Sequence, residues 1–125
     1  MEEVDIRNLL MSVVEQKEVD ANLSLKFDCV AYIDDTPMLI KCVNYAINYI
    51  NHLSDQQMQI SLNASMSGIT AGFTTFTDKE QIPPLNQQVV DALKVFEANV
   101  EIKHEVGKYA QVLLTFTKNK PRPIA

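Results

Sequence analysis

The chain has 125 residues, 46% of them hydrophobic and 22% charged, with a formal net charge of -5 at pH 7. That length suits one domain around a single core, and the composition is that of an ordinary globular protein. The acidic balance gives no electrostatic basis for binding nucleic acid or an anionic membrane, and no window approaches the ~18 apolar residues of a membrane span.

The start MEEVDIRNLL lacks the basic flank and apolar run of a signal peptide, so a cytoplasmic protein is expected. A chain that opens directly into a helical pattern and ends in KNKPRPIA is also compatible with a piece cut from a longer protein. Residues 1–125 are expected to form one domain.

Val4, Leu9, Leu10, Val13 and Val14 recur at helical spacing and predict an amphipathic helix over about 3–18. From Leu23 the period becomes two: Leu23, Leu25, Phe27, Cys29, Ala31 and Ile33 point one way, with Ser24, Lys26 and Asp28 between them. One half-buried strand is expected there. Asp34, Asp35 and Thr36 offer capping side chains and Pro37 is tolerated in a first turn, after which Leu39, Cys42, Val43, Ala46, Ile47, Ile50 and Leu53 mark a second helix. Met58-Ile60-Leu62-Ala64 and Ile69-Ala71-Phe73 alternate about the SMSG turn and predict a hairpin. Beyond the loop TDKEQIPP, residues 77–84, the positions Leu85, Val89, Ala92, Leu93 and Phe96 predict a third helix to about Ala98. A closing hairpin is expected from Val100 to His104 and from Tyr109 to Phe116, turning at Gly107. Helices with one buried face and alternating strands imply a two-layer α/β sandwich, a mixed sheet with three helices on one face.

Cys29 and Cys42 fall on apolar stripes and are expected as buried, reduced thiols; the Cys and His residues are too few for a structural zinc site, and no metal is expected. His52 and His104 form no evident pair, and neither lies in a phosphoacceptor context; His104 reads as an ordinary strand histidine. The serines of LSD and SMSG have no nucleophile elbow or positioned base. No catalytic residue is assigned.

Asn44, Asn48 and Asn51 form a stripe on the second helix, about 120 to 180° round from its apolar centre, which predicts a solvated face. Tyr45, Tyr49 and His52 lie on the opposite shoulder, nearer the buried stripe. At these residues the sequence resembles the ATP-binding catalytic domain of sensor histidine kinases, within the superfamily that also holds gyrase and MutL. VDIRNLLMSVVEQ resembles the leading helix, NLSLKFDCVAYIDD a strand ending in aspartate, TPMLIKCVNYAINYINHL the helix with the family's paired asparagines, and NVEIKHEVGKYAQVLLTF the closing hairpin.

The resemblance implies a histidine kinase-like ATPase fold, and a helix on which two asparagines four apart serve magnesium-bound ATP. Setting Asp35 and Leu39 in register puts Tyr45 and Tyr49 at those positions; Asn44 and Asn48 are one residue, or about 100°, out of phase. The family's next motif is an aspartate followed by glycines. Here FTDKEQIPP aligns Asp78 roughly with the aspartate but supplies no glycine, and Glu80 adds negative charge. The three glycines, Gly68, Gly72 and Gly107, all lie in or beside strands and turns, so no phosphate-cradling loop precedes the last helix.

Tyr45, Tyr49, His52 and Asp78 therefore mark a vestigial nucleotide cleft, with the aromatics filling it or facing another ligand. Neither ATP nor magnesium is expected. The first helix and the loop face carrying Asp78, Lys79, Glu80, Ile82, Pro83 and Pro84 form the candidate contact with a protein partner or with the rest of the chain's own polypeptide. The expectation is a catalytically inactive, histidine kinase-like domain acting as an interaction or regulatory module in signalling. An active ATP- and magnesium-binding domain with unconventional ligands, and an unrelated two-layer α/β binding domain, are the alternatives.

Overall fold

The computed structural model describes residues 2–26, 29–33, 35–65, 68–95 and 98–116. The expectations placed on Phe27, Asp28, Asp34, Phe96, the middle of the SMSG turn and the 117–125 tail lie outside these residues.

The chain begins with a short strand, β1 (Glu2–Asp5), and the Asp5 carboxylate then accepts from the Asn8 amide at 3.1 Å to start helix α1 (Ile6–Lys17). Val4 thus belongs to a strand and not to the predicted helix, whose inward face is Ile6, Leu10 and Val13. The single strand expected over 23–33 is two strands, β2 (Ala21–Leu25) and β3 (Val30–Ile33). Lys26 still donates to the Leu62 carbonyl at 3.1 Å, whereas the Cys29 carbonyl accepts from Ile6 at 2.9 Å, so the chain changes partner between them. β3 pairs antiparallel with β1 in a two-stranded sheet of its own. Cys29, Ala31 and Ile33 are buried as expected, but Leu23, on an edge strand, is 38% exposed.

Helix α2 (Thr36–Asn51) follows. Asp35 caps it by accepting from the Met38 amide at 3.1 Å, and Pro37 occupies the first turn, where it removes no helical hydrogen bond. Then come β4 (Met58–Ser65), β5 (Gly68–Phe76), helix α3 (Gln87–Val95), β6 (Ala98–Glu105) and β7 (Tyr109–Phe116). The main sheet is five-stranded in the order β2-β4-β5-β7-β6, with β2 parallel to β4 and the other pairs antiparallel, so it is mixed as expected. Gly107 makes the turn before β7 with φ +78°, a conformation that costs any residue with a Cβ.

All three helices lie on one face. α2 packs against β5 and β7, α3 against α2 and β6, and α1 against α2 and the small sheet. Leu39, Cys42, Val43, Ala46, Ile47 and Ile50 of α2 are buried, in one core cluster with Ile60 and Leu62, Ala71 and Phe73, and Val112 and Leu114 of the sheet. Both cysteines are buried thiols. The other sheet face is polar along much of its length: the Gln111 amide donates to Thr74 across the β5–β7 pair at 2.9 Å, and Asn22 to Gln59 across β2–β4 at 2.9 Å. Among the described residues no helix is long and apolar enough to cross a membrane.

Candidate functional site

On α2 the residues 45, 48, 49 and 52 are spaced i, i+3, i+4 and i+7, which stacks them along one edge of the helix. Tyr45 and Tyr49 have ring centroids 6.1 Å apart at a 40° tilt. The loop joining β5 to α3, residues 77–86, runs past this edge and is fastened to it at both ends.

At its start Thr77 is buried; its hydroxyl donates to the Leu53 carbonyl at 3.1 Å and accepts from the Lys79 amide at 3.3 Å, while its own amide donates to the Lys108 carbonyl at 3.2 Å. The His104 Nε2 lies 3.0 Å from the Lys79 carbonyl oxygen, so that nitrogen carries the proton and donates. Further on, the Tyr49 hydroxyl donates to the Pro83 carbonyl, and the Tyr45 hydroxyl accepts from the Asn86 amide at 2.8 Å. Asn86 in turn accepts from the Gln88 amide at 2.8 Å and so starts α3.

Between helix and loop lies a cavity of about 740 Å³ lined by Tyr45, Asn48, Tyr49, His52, Lys79, Gln81, Ile82 and Pro83, among others. Its chemistry is aromatic and amide-rich, with one lysine. Burial pushes the Tyr49 hydroxyl above the ordinary tyrosine range, and the neighbouring Tyr45 adds to the shift. Burial also raises the Cys42 thiol.

The structure thus brings Tyr45, Tyr49 and His52 together with Lys79, Ile82 and Pro83. Asp78 is elsewhere: it lines a separate depression with Asp55, Glu105 and Lys108. Glu80 is exposed and lines neither. Ile82, expected on an outward apolar edge, is half-buried and packs against the core. The asparagine stripe also divides. Asn48 and Asn51 are exposed and Asn44 is half-buried. Asn48 borders the cavity because it falls between Tyr45 and His52 on the same helical edge.

Sequence reasoning passed over Thr77, Asn86 and His104 as anchors of the loop. Asn86 carried a usable signal, an Asn directly before an apolar helical pattern. His104 carried none, since its partner is a backbone carbonyl far away in sequence. Among the described residues no cluster of His, Cys, Asp and Glu side chains is placed to hold a metal ion.

No sequence-family profile matches the chain, and no curated protein sequence matches it. Solved structures do. Acinetobacter baumannii histidine kinase AdeS superposes with a TM-score of 0.76 at 12% identity, over 95% of this chain and 68% of its own. The ATP binding domain of PrrB from Mycobacterium tuberculosis gives 0.70 at 17% identity over 95% and 98%. The histidine kinase domain of the Escherichia coli osmosensor EnvZ gives 0.75 at 8% identity over 100% and 93%.

The chain has the histidine kinase ATP-binding fold. Within this fold the hydroxyls of Tyr45 and Tyr49 are both engaged by the backbone of loop 77–86.

Proposed function

We propose that this is a histidine kinase-like domain that has given up magnesium-ATP and acts as an interaction or regulatory module in a signalling protein. The observation that carries the reading is the pair of tyrosine hydroxyls bonded to the backbone at Pro83 and Asn86. A phenol is a poor exchange for a carboxamide as a magnesium ligand, since hard cations take carbonyl and carboxylate oxygens. Loop 77–84 has no glycine to let its backbone approach a polyphosphate, and Glu80 adds a like charge. These features support the view that the residues present do not fit a magnesium-bound triphosphate.

The carboxamide of Asn48 at the cavity rim favours the alternative of an unconventional nucleotide site. One measurement separates the two: the melting temperature with millimolar ATP, with and without magnesium. A conventional site would stabilise the fold by about 2.7 kcal/mol at a hundredfold excess of ligand over its dissociation constant. The expected result is no specific shift, and a reproducible, magnesium-dependent rise overturns the proposal.

A further inference from the structure

The end of the main sheet that carries the β6–β7 turn presents apolar side chains to solvent. Phe76, the last residue of β5, is 63% exposed, and Val106 in the turn is 58% exposed. Phe76 stands directly opposite Tyr109 in the β5–β7 register, while their neighbours Thr75 and Ala110 are buried, so the two rings share the helix-free face. Both aromatics also line a depression of about 920 Å³ whose charged members are Asp55, Asp78, Glu105 and Lys108. The Lys108 ammonium lies 2.9 Å from the Glu105 carboxylate, so this lining offers no second cation to Asp55 and Asp78. An apolar centre with a charged rim is the composition of a binding surface, whereas single exposed apolar residues need no explanation.

We propose that this end of the sheet docks a cationic peptide segment of another protein. An aliphatic or aromatic side chain of the segment seats against Phe76 and Tyr109, and flanking arginines or lysines meet Asp55 and Asp78. Charge selects this occupant. A second copy of the chain, at net charge -5, would set carboxylates against carboxylates, and nucleic acid or anionic lipid is repelled in the same way. A neutral apolar partner would strip water from the carboxylates and return no counter-charge. The inference rests on the reading of the domain as an interaction module and names its surface and the chemistry of its partner.

The test titrates isotope-labelled protein with two synthetic peptides of equal length, one alternating leucine with arginine and the other leucine with glutamate, followed by NMR. The expected result is saturable movement of the 76–78 and 105–109 amide signals with the arginine peptide, weakened by salt and absent with the glutamate peptide. Affinity should fall at least about tenfold in Phe76→Ser and in Asp55→Asn/Asp78→Asn. All three positions are exposed, and the charge variant serves if the aromatic one fails to fold. Equal binding of both peptides, movement at a different surface, no saturation, or unchanged affinity in the variants overturns the proposal. Self-association that disappears in Phe76→Ser shows a second copy on this face and also overturns it. The nucleotide melting experiment is independent: a magnesium-dependent shift with the peptide response intact overturns the silent-domain reading alone, and no peptide response with no nucleotide shift overturns the docking surface alone.

Discussion

The Tyr49 hydroxyl donates to the Pro83 carbonyl, joining the inward shoulder of α2 to the middle of a loop 34 residues away in sequence. With Tyr45 bonded to Asn86 one helical turn earlier, the aromatic edge of α2 acts as a latch on loop 77–86. A proline has no amide hydrogen, but its carbonyl is a full acceptor, so Pro83 can be held only from this side.

Tyr49→Phe keeps the ring and removes the donor. It should lower stability by about 0.5 to 1.5 kcal/mol, the net worth of one intramolecular hydrogen bond. It should also speed amide hydrogen exchange in loop 77–86 more than in β4 or β7. If exchange in the loop is unchanged, Tyr49 does not hold it.

The same phenol sets an alkaline limit. Folding favours its neutral form, since burial raises it. The contribution is therefore complete below the unfolded-state value near pH 10 and is lost as pH rises from there through the higher folded value. Cys42 titrates in the same direction, from a lower starting point. Tyr49→Phe should flatten the fall of stability above about pH 10 and leave any Cys42-dependent slope below it. Chemical denaturation across this range checks both, and an equally steep fall in the variant rules the assignment out.

What could be read from the sequence follows from which forces are local. The phase of α2 was legible because seven apolar positions recur on one stripe, and all of Leu39, Val43, Ala46, Ile47 and Ile50 are buried. The hairpin strands β4–β5 and β6–β7 were legible because each pair is contiguous in sequence and alternates. The split of 23–33 into β2 and β3 was not: alternation tells which face a side chain takes, but not which strand it pairs with, and Leu25 to Ile33 keeps one period across a change of sheet. Val4 was drawn into the helical pattern because a four-residue strand is too short to show a period of its own. At the site, the tyrosines were visible as a pair on one helical edge, but their bonds were not, because Pro83 and Asn86 offer backbone atoms and leave no trace in side-chain type.

The helix phase makes a paired prediction. Ile47 is 0% exposed, so Ile47→Ala should cost about 2 to 5 kcal/mol through lost burial and the cavity left behind. Changing Asn51, which is exposed, to Ser should stay within about 0.5 kcal/mol. Asn44, half-buried, should fall between these limits. Denaturant melts of the three variants check the order, and an Asn51 effect as large as that of Ile47 would show that the helix is rotated.

Placing amides at positions 45 and 49 should not create a nucleotide site. In Tyr45→Asn/Tyr49→Asn two carboxamides occupy the positions at which the resemblance expects them, so if those side chains alone were lacking, magnesium-ATP would now raise the melting temperature. Several further conditions stay unmet. Loop 77–84 still has no glycine, Glu80 still adds negative charge, and Asp78 lines a different depression from the one that holds these two positions. The exchange also removes the bonds to Pro83 and Asn86, each worth about 0.5 to 1.5 kcal/mol, with coupling expected because both fasten one loop. The variant should therefore melt lower than the parent and show no magnesium-dependent response to ATP. A response in the double variant that the parent lacks would mean that the tyrosines alone close an otherwise competent site, and the loop's missing glycines would then count for little.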